Sequence, residues 1–204
     1  MRDTVFTIGH SNTSFEDFRA LLQKYRIEAI ADVRSVPVSK FSPHFSRAAL
    51  KEALNQCGVR YAFLGAELGA RTKDPACYRG GKVRYELLAR TALFRAGIER
   101  LVRGSTNFNV AVMCAEKDPI LCHRAILVGR YLHEAGINVR HILGSSAEEN
   151  QTELVLRLSK TLGLPQDGLF RGTRELASMA YEMQGERIGY TPAAQNEDTK
   201  AGTR

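Results

Sequence analysis

Five times over, this sequence runs a short apolar, β-branched stretch into a segment with helical spacing, and that alternation constrains the fold more than any other feature. Residues 5–8 (VFTI), 28–33 (EAIADV), 59–64 (VRYAFL), 109–114 (NVAVMC) and 137–143 read as strands. Ser14 stands as an N-cap ahead of Phe15, Phe18, Leu21 and Leu22, which share a helical face. Ser46 opens a second helix that stops at Gly58. A third helix is expected from about 83 to 103, ending at Gly104. Asp118 and Pro119 resemble an N-cap and first-turn proline, with that helix running to Gly136. A fifth spans about 147–162. Residues 34–45 and 65–82 read as loops, from their prolines, serines and glycines.

Strands alternating with helices predict an α/β fold. The expectation is a three-layer sandwich around a mostly parallel sheet of about five strands, Rossmann-like without a dinucleotide fingerprint. Residues 1–163 would form the domain. Residues 164–204 would form an extension, with a short helix near 173–184 and a disordered tail. With 44% hydrophobic and 25% charged residues, the chain has the balance of a globular protein. No apolar run reaches the roughly 18 residues of a membrane span, and the N-terminus lacks a signal-peptide layout. A cytoplasmic location and no membrane partner are therefore expected.

In an open parallel sheet, ligands bind beyond the carboxyl ends of the strands. His10, Ser11 and Asn12 follow the first strand here, and Asp32 and Arg34 end the second. Glu67 and Arg71 follow the third, Cys114 and Glu116 the fourth, and His141 lies in the fifth. If the sheet is parallel, these segments converge on one cleft.

The densest chemistry is MCAEKDPILCHR at 113–124. Cys114 ends a strand, and Cys122 is expected about four residues into the next helix. A thiolate near a helix N-terminus is stabilised. His123, Arg124 and Glu116 add donors, charge and a general acid or base. Three readings compete: a catalytic thiol, a metal site built from the cysteines with His10, His123 or His141, and two cysteines that only pack the core. The spacing C-x7-C-H matches no standard zinc finger. No cofactor is required by sequence, although zinc or another divalent metal fits the second reading. Cys57 reads as structural, and Cys77 as incidental.

Net charge is +7, and residues 34–103 hold fourteen Lys/Arg against five Asp/Glu. That excess suits an anionic small molecule or nucleic acid, with a solvated mixed surface as the plain alternative. Lys40, Phe41, His44 and Phe45 interleave basic and aromatic types, a pattern compatible with base stacking. No phosphate-binding P-loop, dinucleotide fingerprint or serine-hydrolase elbow is present, which disfavours those chemistries.

TIGHSN at 7–12, DVRSVPVSKFSPHF at 32–45, FLGAELGAR at 63–71 and MCAEKDPILCHR at 113–124 resemble segments of the Domain of Unknown Function 488 family. The resemblance covers about residues 4–145. It implies an α/β domain and a thiol-dependent activity, and it supplies no substrate. Its motif positions fall on His10, Ser11, Asp32, Arg34, Glu67, Arg71, Cys114, Glu116, Cys122, His123 and Arg124. Ala70 stands where the family often has glycine.

The expected function is a thiol-dependent enzyme. Cys114 would be nucleophile or sulfur carrier, with Cys122 as its partner. His10 or His123, with Glu116, would move protons. Ser11, Asp32, Arg34, Glu67, Arg71 and Arg124 would hold an anionic substrate: a nucleotide, a modified base or nucleic acid. The rival functions are a metal-binding domain and a non-catalytic nucleic-acid-binding module.

Overall fold

The computed structural model describes residues 4–144, 147–165 and 173–192. Strand β1 is Thr4–Gly9, helix α1 Phe15–Lys24 and strand β2 Ala29–Asp32. Helix α2 (Arg47–Gln56), strand β3 (Arg60–Phe63) and the single turn α3 (Gly65–Leu68) follow. A hairpin of β4 (Tyr78–Arg79) and β5 (Lys82–Val83) precedes helices α4 (Tyr85–Leu88) and α5 (Ala92–Asn107). Strand β6 is Val110–Cys114. A wide π-type turn, Arg124–Gly129, continues into helix α6 (Arg130–Glu134). Strands β7 (Asn138–Ile142) and β8 (Glu148–Asn150) and helices α7 (Gln151–Thr161) and α8 (Thr173–Ile188) follow.

The main sheet has six strands in the order β3-β2-β6-β1-β7-β8. All pairings are parallel except that of β8, which runs antiparallel to β7 at the edge. The α/β sandwich expected from the alternation is present. Alternation along β6 sorts the core into two layers: Ala111 and Met113 pack with Phe18, Leu22, Leu50 and Leu54 of α1 and α2. Val110, Val112 and Cys114 face Leu101, Leu127, Leu158 and Ala180 on the opposite side. The chain therefore leaves β1 for one face, through α1, and leaves the adjacent β6 for the other. This divergence opens a crevice at their carboxyl ends.

Four details differ from the sequence expectation. The helix expected over 83–103 is two helices, because Thr91 stops one and caps the next by accepting from the Phe94 amide at 3.2 Å. Residues 148–150 are strand rather than helix. Asn150 begins α7 with a capping box in which Glu153 answers its backbone N–H. The expected loop 65–82 contains α3 and the hairpin. Cys122 does not lie inside a helix: Pro119–Leu121 is a 3-10 turn that stops there, with Cys122 extended at φ −134°, ψ 138°.

Helix α8 runs past 184 and packs into the domain, burying Ala180, Tyr181 and Gln184. The expected tail at 193–204 lies outside the described residues. Among the described residues, no helix is long and apolar enough to cross a membrane.

Candidate active site

The loops after β1 and β6 extend the sheet's pairing past its end. The His10 amide donates to the Cys114 carbonyl at 3.0 Å, and the Ser11 amide to Ala115 at 2.8 Å. The two loops touch because residue 9 is glycine: a Cβ there would sit 1.8 Å from the Glu116 carbonyl oxygen. Arg124, with no exposed surface, holds the same loop from beneath. Its guanidinium donates to the Glu116 carbonyl at 2.5 Å and the Lys117 carbonyl at 2.9 Å.

Cys114 lies at the end of β6. The chain then turns back, so that Cys122 and His123 return to the same point. The Cys122 carbonyl accepts from the Ala125 and Ile126 amides, each at 3.1 Å, starting the helical segment. Its sulfur accepts from the Arg124 amide at 3.5 Å. His123 Nδ1 lies 3.7 Å from the Cys114 sulfur and 3.9 Å from that of Cys122. His123 Nε2 is 3.0 Å from the Val33 carbonyl oxygen, which can only accept. The hydrogen bond therefore places a proton on Nε2, and Nδ1 faces the two sulfurs.

The cysteines share one proton's worth of asymmetry. The hydrogen bond that Cys114 donates to the Cys122 sulfur, then burial, hold the Cys114 thiol well above the usual range. Burial also opposes ionisation of Cys122. The bond from Cys114, the Arg124 guanidinium and His123 outweigh it and hold Cys122 well below that range.

Above these groups is a cavity of about 360 Å³ lined by His10, Arg34, Arg71, Cys114, Glu116, Cys122 and His123. Four of the five expected strand edges thus meet in one cleft. The fifth does not: His141 is fully buried, between the Thr7 hydroxyl at 2.8 Å and the Gln151 side-chain oxygen at 2.8 Å. His44 bonds the Thr13 carbonyl and tilts against Phe45 instead of entering the cleft.

Several residues expected to bind substrate have other partners. Asp32 is fully buried and takes a forked bond from Arg34, at 2.9 and 2.6 Å, and a 2.7 Å bond from the Tyr61 hydroxyl. Arg34 lines the cleft and also donates to His10 Nε2 at 3.1 Å. Glu67 faces away and pairs with Arg100 at 2.9 Å. Ser11, with φ 48°, lines a neighbouring cavity of about 770 Å³ rather than the cysteine cleft. Arg124 braces the loop and has its guanidinium on backbone carbonyls.

His10 donates through Nδ1 to the Ser11 carbonyl at 2.8 Å and accepts from Arg34 at Nε2. Burial lowers its pKa to about 4, so it is neutral near pH 7. Glu116 is exposed at the rim, and among the described residues its carboxylate has no hydrogen bond or ion pair. Among the described residues, Arg71 has no carboxylate partner: its guanidinium lies 5.0 Å from the centre of the Tyr190 ring. The Arg71 amide donates to the Ser35 hydroxyl at 2.9 Å.

Ser35, Val36, Val38, Tyr85, Leu121, Ile188 and Tyr190 were not singled out from sequence, yet they line the cleft. The exposure of Val36, Val38 and Leu121 gives the mouth an apolar rim. Only Ser35, beside Arg34 in the loop, carried a signal. Ile188 and Tyr190 reach the cleft through the packing of α8, which no local pattern encodes. The basic excess of 34–103 is partly neutralised: Arg34, Arg84, Arg100 and Arg103 are in ion pairs. Arg47 and Arg60 lie over the rings of Phe63 and Phe108.

Among the described residues, Cys114, Cys122 and His123 form a group of potential metal ligands whose donor atoms all lie within 4.8 Å of one another. A family model described as domain of unknown function DUF488 matches residues 14–131. No curated protein and no solved structure matches the chain.

Proposed function

Since the chain belongs to the DUF488 domain family, whose description assigns no activity, we propose a function from the cleft itself: an enzyme that acts on a small anionic substrate through a Cys114–Cys122–His123 centre. One observation carries the reading. Two cysteine sulfurs and the His123 Nδ1 converge on a cavity whose wall presents the cation of Arg71, which has no carboxylate partner among the described residues. A volume near 360 Å³ suits a molecule of nucleotide size or smaller. The apolar rim favours a substrate with an apolar or aromatic body beside its anionic group. Arg71 binds that group, with Arg34 behind it. Glu116 at the mouth is the general acid or base.

Turnover of a panel of phosphorylated and carboxylated aromatic compounds, nucleoside monophosphates included, tests this reading. Cys114→Ser and Cys122→Ser should each abolish any turnover the native chain shows. Arg71→Ala should raise KM about tenfold, the equivalent of about 1.4 kcal/mol, with kcat little changed. Full turnover in both cysteine variants would remove the centre from the chemistry.

A further inference from the structure

We infer that Cys114 Sγ, Cys122 Sγ and His123 Nδ1 are three ligands of a single zinc-class divalent cation whose fourth position opens into the cleft. The inference rests on the cleft being the working site and names the cofactor that would work there. Its first support is distance. In a tetrahedral site with Zn–N near 2.0–2.1 Å and Zn–S near 2.3 Å, neighbouring N and S ligands are about 3.5 Å apart. The two N···S separations here are 3.7 and 3.9 Å, so the donors stand a few tenths of an ångström outside that edge. All three donor atoms lie within 4.8 Å of one another.

The second support is the shell behind the ligands. His123 donates its other ring nitrogen to the Val33 carbonyl, the arrangement that fixes a ligating tautomer. The Arg124 amide donates to the Cys122 sulfur, and Arg124 in turn fixes the loop between the two cysteines. Adjacent residues 122 and 123 can both ligate because the backbone turns between them, from extended at Cys122 to helical at His123.

Charge is the third support. Two thiolates, a neutral imidazole and a divalent cation sum to zero, so a buried site carries no net charge. Three protein ligands and an open position are the pattern of a reactive rather than structural zinc site. Glu116 lines the same cavity, so a cation held there would have a carboxylate base on its wall.

The test uses the full chain, reduced and stripped of metal, titrated with cobalt(II). Intense visible bands of tetrahedral cobalt and a near-ultraviolet thiolate charge-transfer band should saturate at one equivalent, and zinc should displace both. Cys114→Ser, Cys122→Ser and His123→Ala should each weaken binding at least a hundredfold, while Cys57→Ser leaves it unchanged. Because those variants could fail to fold, the native chain provides a second readout. Alkylation of Cys114 and Cys122, mapped by peptide mass spectrometry, should be at least tenfold slower with zinc than without. Weak octahedral-type absorption, or labelling indifferent to zinc, overturns the metal site. If labelling is indifferent to zinc and the cysteine variants still abolish turnover, the metal inference fails and the enzymatic reading stands. Stoichiometric tetrahedral binding with no turnover on the panel supports the metal site and counts against the enzymatic reading.

Discussion

Arg124 is the residue on which the cleft's floor depends. It has no exposed surface, and its two terminal nitrogens are bonded to the carbonyls of Glu116 and Lys117. Hydrogen bonds from a charged donor contribute about 1.5–3 kcal/mol each, and removing the donor also leaves two carbonyls unpaired. Arg124→Met should therefore destabilise the fold by about 3 kcal/mol in urea or guanidinium titrations. Arg124→Lys should recover less than half, since an ammonium cannot reproduce the fork. A loss under about 0.5 kcal/mol would show that the loop does not need the arginine. Gly9 makes a related point from the other side of the loop. A methyl group there would overlap the Glu116 carbonyl, which is itself held by Arg124. Gly9→Ala should cost more than about 2 kcal/mol and raise the alkylation rate of Cys114, because the loop must move away from β1.

At the scale of elements, α8 is the piece that completes the site. The Gln184 side-chain amide donates to the Ile120 carbonyl at 2.7 Å, tying the helix to the 3-10 turn just before Cys122. Beyond the helix, the Tyr190 carbonyl accepts from the Val83 amide at 2.9 Å, and the Tyr190 ring faces Arg71. One wall of the cleft thus comes from residues beyond the 14–131 span of the family match. Gln184→Ala should destabilise by about 1–2 kcal/mol, through an unsatisfied buried carbonyl. It should also speed amide exchange at 121–123 more than in the sheet. Equal exchange in both regions would mean that α8 packs on the domain without holding the turn.

The whole molecule should respond to acid through a group far from the cleft mouth. His141 is fully buried, and burial first of all lowers its pKa to about 3. Its partners fix the neutral form: Nε2 donates to the Gln151 oxygen and Nδ1 accepts from Thr7. Gln151 also donates to the Tyr181 hydroxyl of α8 at 2.7 Å. In the unfolded chain the same histidine titrates near about 6.5. The unfolded state therefore binds the proton first, so this contribution is whole above about pH 6.5 and is lost as pH falls towards 3. At pH 5 the loss relative to pH 7 is about 2 kcal/mol. His141→Asn should be less stable at pH 7 yet show a shallower decline to pH 5, by about one proton in the slope. Parallel pH profiles for native chain and variant would place the titration elsewhere.

What was legible in the sequence was local. Short apolar, β-branched runs specify strands, and helical spacing behind Ser14 specifies α1, because both patterns act within a few residues. Once the sheet is parallel, strand ends and chemistry must coincide, which is why His10, Arg34, Arg71 and the 114–123 segment could be placed together in advance. Tertiary structure alone decided which of those side chains remain free. Asp32 and Arg34 neutralise each other, Glu67 turns to Arg100, Arg124 turns under its own loop, and His141 turns into the core. A charged side chain extends in any direction from its backbone, and its partner is set by packing between elements distant in sequence. The same holds for the centre itself: Cys122 lies eight positions from Cys114. Only the turn ending at Cys122, braced by Arg124 and Gln184, brings both sulfurs to one histidine nitrogen.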